Sequence, residues 1–275
     1  MSVPVLKMND GNTIPQLGYG VWKISDEDAE GSVLQALKTG YRHIDTAKIY
    51  NNEGGVGRGI AASDIAREKI FITTKVWNSD QGYDETLKAF DESAKRLGVK
   101  TIDMYLIHWP MPVRDKFVET WKALIRLRQE NRVRSIGVCN FRIADLERLI
   151  KETGVAPAVN QVELHPQFQQ KELRIFHEKN NILTEAWAPL GRGLFFDDPL
   201  LQSIAEEHSK TVAQIVLRWH MELGTIAIPK SQSAVRMAEN FDIFDFKLTA
   251  ADHDKIASLD KIDGRMGPNP DEFLG

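Results

Sequence analysis

Short apolar runs alternate with longer amphipathic segments along most of the 275-residue chain. The opening stretch differs. Val5-Leu6-Lys7-Met8 and Thr13-Ile14 flank Asn9-Asp10-Gly11-Asn12, and an Asp-Gly pair between two such segments predicts a β-hairpin. Eight runs that follow read as strands, at 16–20, 41–45, 70–74, 102–107, 135–139, 159–164, 182–187 and 225–229. Most are β-branched or aromatic and apolar on both faces, as parallel strands covered on two sides must be.

Helical patterns lie between them. Ser25 can cap a helix with Asp28 three residues on; Ala29, Val33, Leu34 and Leu37 form its apolar face, and Gly40 stops it. Leu87, Phe90, Ala94 and Leu97 recur at spacings of three and four before Gly98. Asp115 is read as opening another helix, with Phe117, Trp121, Leu124 and Ile125 on its buried side. Similar signals cover 51–63, 141–152, 169–179, 211–222 and 233–240, with a further helix near 249–259. Eight strand–helix units in a chain of this length predict an α/β fold, a (β/α)8 TIM barrel with an N-terminal hairpin and extra helices near the C-terminus, residues 1–275 forming one domain. A doubly wound sheet is the alternative, but Gly18-Tyr19-Gly20-Val21-Trp22-Lys23 lacks the third glycine of a dinucleotide-binding turn.

Composition narrows the function classes. Lys+Arg 35 against Asp+Glu 39 leaves a net charge of −4, without the basic field that nucleic-acid binding needs. No stretch approaches about 18 uncharged apolar residues, so no membrane span is expected. Met1-Ser2-Val3-Pro4-Val5 has neither the basic start nor the apolar run of a leader. Cys139 is the one cysteine, so an internal disulfide and a cysteine-built zinc site are excluded. No HExxH or other metal-ligand spacing occurs, and no metal is expected. The expectation is a cytoplasmic protein, a monomer because no helix is apolar all round.

Chemistry in a barrel belongs at the C-terminal ends of the strands. Asp45 closes the second strand, with Tyr50 in the loop after it; Lys75 closes the third and His108 the fourth. Taken singly, each has a plain alternative: a helix cap for Asp45, a packed ring for Tyr50, a solvated chain end for Lys75, a hydrogen-bonded core residue for His108. Together at one rim they predict an acid–base group. An ammonium beside a phenol lowers the pKa of the phenol, and a carboxylate keeps the ammonium charged. A neutral histidine can orient a carbonyl oxygen. The reaction that fits is proton transfer to a carbonyl coupled to hydride delivery. After the last strand, Lys230, Ser231 and Arg236 stand near a helix start, either an anion site or an ordinary basic helix end. Trp187 ends the seventh strand, where a flat ring can stack on another.

The motifs Gly40-Tyr41-Arg42-His43-Ile44-Asp45-Thr46-Ala47 with Tyr50, Thr73-Thr74-Lys75-Val76-Trp77, Asp103-Met104-Tyr105-Leu106-Ile107-His108-Trp109-Pro110, Ile136-Gly137-Val138-Cys139-Asn140-Phe141, Asn160-Gln161-Val162-Glu163-Leu164-His165-Pro166 and Ile228-Pro229-Lys230-Ser231 together resemble the aldo-keto reductase family, essentially end to end. The nearest group resembles microbial reductases of 2,5-diketo-gluconate and methylglyoxal and the prostaglandin-F-synthase-type enzymes. The resemblance implies a catalytic tetrad of Asp45, Tyr50, Lys75 and His108, Tyr50 donating the proton. It implies NADPH, with NADH weaker, and a small carbonyl substrate. Asn140 and Gln161 would meet the nicotinamide carboxamide and Trp187 its ring. Leu190 and Gly191, with the loop on through Gly193, would cover the pyrophosphate, Lys230, Ser231 and Arg236 would face the 2′-phosphate, and Glu239 and Asn240 the adenine. Trp22, Trp77 and Trp109 would line the substrate pocket with His108.

The chain departs from the family pattern at Cys139, where serine is usual, and at Gln232, where a small apolar residue is common. The tail after Leu259 is short, which predicts an open pocket. Its Gly264–Pro270 stretch is Gly/Pro-rich and either folds over the rim or frays. The competing reading is a barrel that binds NADPH and acts through a partner as a regulatory or structural protein; the complete tetrad argues against it. A hydrolytic or isomerising barrel would need a rim carboxylate pair or metal ligands.

Overall fold

A computed structural model describes residues 3–273; Met1 and Ser2, part of the stretch read for a leader, and the last two residues of the chain lie outside them. Strands β1 (Val5–Lys7) and β2 (Thr13–Pro15) pair antiparallel, with Leu6 opposite Ile14. Gly11, at φ +89°, lets the turn close with its N–H donating to the Met8 carbonyl.

Eight parallel strands follow: β3 (Tyr19–Gly20), β4 (His43–Asp45), β5 (Phe71–Val76), β6 (Ile102–Ile107), β7 (Val133–Cys139), β8 (Val159–Glu163), β9 (Leu183–Trp187) and β10 (Ile226–Ala227). They lie side by side in chain order. Backbone bonds bring the two edges together: Gly18 and Gly20 donate to the carbonyls of Ala227 and Pro229, and the Ala227 N–H donates to Gln16. The sheet thereby closes into the expected barrel and leaves no strand edge open.

Helices α1 (Asp26–Thr39), α2 (Glu53–Ala61), α3 (Tyr83–Leu97), α4 (Phe117–Gln129), α5 (Ile143–Thr153) and α6 (Lys171–Lys179) alternate with the strands, α7 (Pro199–His208) and α8 (Val212–Glu222) both lie between β9 and β10, and α9 (Ala234–Phe241) and α10 (Ala250–Ala257) follow. Ser25 caps α1 through the Asp28 N–H, as its sequence predicts. One apolar layer packs between helices and sheet. A second lies inside the barrel, where Met8 and Ile14 of the hairpin meet Phe71, Met104, Leu106, Cys139, Val159 and Ile226. The hairpin is therefore a plug in the lower mouth, and burying Ile14 alone contributes about 1.5–3 kcal/mol. With that mouth closed, chemistry has only the upper one.

Three expectations are corrected. Strand β5 runs on to Val76, so Lys75 sits inside a strand rather than after it. Its aliphatic stem is thereby packed within the barrel. Asp115 does not open α4: it has a left-handed backbone and pairs with Arg148, and the helix begins at Phe117. Helix α7 was absent from the sequence reading, although Asp198 caps it and Pro199 occupies its first position.

Candidate active site

The end of β4 and the turn after it set the first two groups. The Thr46 N–H donates to the Thr73 carbonyl, the chain makes a tight turn over Lys48–Tyr50, and Asn51 exits left-handed at φ 55°. Asn52 holds this turn down. Its amide nitrogen donates to the carbonyls of Val21 and Ile24, each at 2.9 Å, and its oxygen accepts from Thr46 at 2.7 Å. Sequence reasoning missed Asn52, two residues after Tyr50. Gly55 seats α2 against α1; a Cβ there would lie 2.1 Å from the Asp26 carbonyl oxygen.

Asp45, Lys75, Tyr50 and His108 converge as predicted. Lys75 Nζ donates to Asp45 Oδ1 at 2.7 Å and to the Thr46 carbonyl at 2.8 Å, and lies 5.1 Å from the centre of the Tyr50 ring. The rings of Tyr50 and His108 meet edge to face, 5.8 Å between centres. Asp45 Oδ2 accepts from Gln161 Nε2 at 2.9 Å. Both side chains of the Asp45–Lys75 pair are sealed from water, at 3% and 0% exposure, so the pair is a low-dielectric contact rather than a surface one.

The electrostatics revise one expectation. Burial pushes the Tyr50 phenol up to about 12, and the pull of Lys75 only partly offsets this. The phenol is stored protonated rather than made acidic. Burial works against charge on Lys75, but Asp45, with Tyr50 and Cys139 adding to it, more than offsets this and leaves the ammonium above the ordinary lysine range. Burial, reinforced by Lys75, holds His108 well below its usual pKa, so its ring is neutral at physiological pH. His108 Nδ1 has no hydrogen-bond partner among the described residues. Burial raises the Cys139 thiol, which is inert for the same reason.

Above the cluster is an aromatic wall. Trp77 meets His108 edge to face at 5.0 Å, and Trp109 stacks beside it at 6.5 Å. Phe273 of the tail closes the wall, 4.3 Å from Trp109 and 6.2 Å from Trp77. The tail therefore lies over the rim, and the pocket is narrower than its shortness predicts. The tail is fastened by Glu163, which accepts the N–H groups of Met266 and Gly267 at 2.6 and 2.9 Å, and by an Arg142–Asp271 ion pair. Trp22 does not join this wall; Lys23 and Arg192 flank its half-exposed ring at 4.4 and 5.0 Å.

Beside the wall, Asn140 accepts from Trp187 Nε1 at 2.8 Å and donates to the His108 carbonyl at 3.0 Å. Its left-handed backbone, φ 62°, turns the chain at the end of β7 so that the amide faces the rim. Between the loops that follow β9 and β10 opens a cavity of about 840 Å³ lined by Leu190, Arg192, Lys230, Ser231, Arg236, Glu239 and Asn240 among others. Gly191 forms the turn along one side at φ 54°. Ser233 caps α9 through the Arg236 N–H, and Lys230 Nζ donates to Gln232 at 3.1 Å. Cations and free helix N–H groups thus share one wall, suited to an anion. Phe196 and Thr211 also line it and were not anticipated; the latter is fixed by donating to Glu239 at 2.8 Å.

A closed (β/α)8 barrel with a buried acid–base group at its strand ends, an aromatic pocket and an adjoining cationic cavity defines a barrel enzyme. The sequence pattern of the aldo/keto reductase family matches residues 15–261. The glyoxal reductase of Bacillus subtilis strain 168 is 50% identical, covering 98% of this chain and 97% of its own. The methylglyoxal reductase DkgA of Escherichia coli K12 is 47% identical over 98% of each. A crystal structure of Gox0644, in an aspartate-to-alanine variant complexed with NADPH, superimposes with a TM-score of 0.97 at 50% identity, covering 100% of both chains. The chain belongs to the aldo/keto reductase family and is an oxidoreductase, in the branch that its motifs resemble.

Proposed function

We propose that this chain, working as one barrel domain, reduces the carbonyl of small dicarbonyl compounds of the glyoxal and methylglyoxal class with NADPH, as a cytoplasmic monomer. The observation that carries the reading is the Asp45–Lys75–Tyr50–His108 cluster under an aromatic pocket and beside a cavity whose wall is built for an anion. The names of the two relatives support the substrate class, and the NADPH-bound neighbour supports the cofactor.

The cavity residues fit the nucleotide. Lys230, Ser231 and Arg236 would hold a 2′-phosphate, Leu190 and Gly191 would cover the pyrophosphate, and Glu239 with the buried Asn240 would meet the adenine. Asn140, Gln161 and Trp187 would hold the nicotinamide, and Trp22 would sit at the margin between cavity and pocket. When bound there, the cofactor would supply the hydride that the carbonyl carbon accepts. Tyr50 passes its proton to the carbonyl oxygen, and Lys75 stabilises the phenolate left behind. The neutral His108 orients the same oxygen. Trp77 and Trp109 would wall the substrate, and Phe273 against them would favour compact carbonyls over keto-sugar acids such as 2,5-diketo-gluconate.

The test is loss of reduced-nicotinamide absorbance with glyoxal, methylglyoxal, 2,5-diketo-gluconate and aromatic aldehydes. Tyr50→Phe should lower kcat by about 10²–10⁴-fold, the range of a general acid, while leaving the Kd for NADPH unchanged. Near-normal turnover by the phenylalanine variant would overturn the assignment. Sedimentation of the purified chain checks the monomer.

A further inference from the structure

Below the cluster, the barrel interior holds a second carboxyl. The register of β8 and β9 sets Glu185 beside Gln161, whose amide nitrogen donates to Asp45. Glu185 is fully buried, and neither carboxyl oxygen has a partner at hydrogen-bond distance and angle among the described residues, although the Gln161 amide is close enough to favour its ionised form. The ring of His43 on β4 approaches no nearer than 3.9 Å and is itself neutral, because burial holds its pKa at about 3. The other ionisable groups around Glu185 are Asp45 on β4, Lys75 on β5 and Cys139 on β7, while β10 presents Ile226. A hydrocarbon of similar size would fill this place without an unpaired polar group, which is expensive to bury.

We propose that Glu185 is a positioning residue of the acid–base cluster, whose proton, held beneath the Asp45–Lys75 pair, controls how strongly Lys75 favours the Tyr50 phenolate and hence how readily the enzyme runs from alcohol to carbonyl. The inference rests on the carbonyl-reductase reading. While Glu185 is neutral, the Lys75 ammonium faces one carboxylate and still attracts the phenolate. Once Glu185 ionises, two carboxylates share that ammonium, and the phenolate needed to accept the alcohol's proton is disfavoured. Reduction starts from the protonated phenol, so its starting form is not depleted, although the proton transfer that leaves the phenolate becomes harder by the same interaction. Burial, reinforced by Asp45, raises the Glu185 carboxyl to about 8, within reach of mild alkali. The folded value lies above the unfolded one, so stability due to this group is present in acid and declines as pH rises toward 8.

The test uses Glu185→Gln, the uncharged isostere, with alcohol oxidation by NADP⁺ and carbonyl reduction by NADPH followed across neutral and alkaline pH. Relative to its own rate at neutrality, oxidation by E185Q at alkaline pH should exceed that of the wild type by about three- to tenfold, the change in phenolate fraction for a half- to one-unit shift in the phenol. The wild-type inflection near 8 should vanish, and Glu185→Asp should restore one. The urea midpoint of E185Q should pull ahead of the wild type as pH rises from 5 to 8, which packing alone would not produce. Superimposable oxidation profiles and a constant midpoint difference would refute the role of Glu185 while leaving the reductase reading intact. Wild-type protein that reduces no carbonyl would take both readings down. If E185Q fails to fold, a wild-type urea midpoint that is flat across the same pH range refutes the proposal, and E185D carries the kinetic comparison.

Discussion

Replacing Asp45 with asparagine, D45N, removes one negative charge from a site that water does not reach. The wild-type carboxylate accepts from Lys75 Nζ at 2.7 Å and from Gln161 Nε2 at 2.9 Å. Asparagine can keep the first contact through its oxygen, but its NH₂ then faces the NH₂ of Gln161 unless that amide turns over. Lys75 is left as a buried ammonium whose remaining firm partner is the Thr46 carbonyl at 2.8 Å. Removing one member of a buried ion pair costs about 3–5 kcal/mol. At about 2–4 °C per kcal/mol for a chain of this size, Tm should fall by about 6–20 °C. The sign of the pH dependence also changes. In the wild type Lys75 is raised, so its contribution is present below the ordinary lysine pKa and is lost as pH climbs through the folded value. Without Asp45, burial dominates and Lys75 falls below the unfolded value, so the variant should gain stability from neutral to mildly alkaline pH. Urea denaturation of both proteins across that range reads the two effects together. A loss under about 1 kcal/mol, typical of an exposed pair, or a flat pH response in the variant, would refute the claim that burial makes this pair matter.

Arg236→Ala should weaken NADPH far more than NADH in fluorescence titrations, because only NADPH carries the extra phosphate; equal losses would remove Arg236 from that role. Burial opposes ionisation of Glu163, yet His165 and the N–H groups of Met266 and Gly267 hold its pKa below the usual carboxylate value of 4.5. Its hold on the tail should therefore be complete above that value and lost as pH falls through the folded one, and hydrogen exchange at Met266 and Gly267 should speed up in acid and in Glu163→Ala at neutral pH. With His108 already neutral, the pH profile of carbonyl reduction should be flat through 6.5, the ordinary histidine value. An inflection there that disappears in His108→Gln would contradict the neutral ring.

The barrel was readable because its strands are apolar on both faces and its helices carry stops such as Gly40 and Gly98. Boundaries were less readable where tertiary pairing decides them. Nothing local says that β5 should continue through a lysine, since that lysine is tolerated only because Asp45 waits across the neighbouring strand. Asp115 looked like a cap because the sequence does not show that Arg148, 33 positions later, claims it. The four clustered residues emerged from strand ends and the loop after β4, whereas Asn52, Phe196 and Phe273 lie on loops and a tail whose courses depend on distant contacts. The tuning of Tyr50 was misjudged for a related reason. Sequence places the ammonium beside the phenol, but the depth of burial, which outweighs it, belongs to the folded molecule.

The tail's seat has a practical corollary for anyone handling this protein. Gly267 rests so close to Trp187 that a Cβ would come within 2.4 Å of the indole, and Phe273 caps the opposite wall. Residues appended downstream would emerge beside the substrate entrance, whereas those attached ahead of the hairpin would leave from the plugged mouth. An affinity tag or surface tether belongs at the latter, and a C-terminal fusion should raise KM even when the barrel beneath it is untouched.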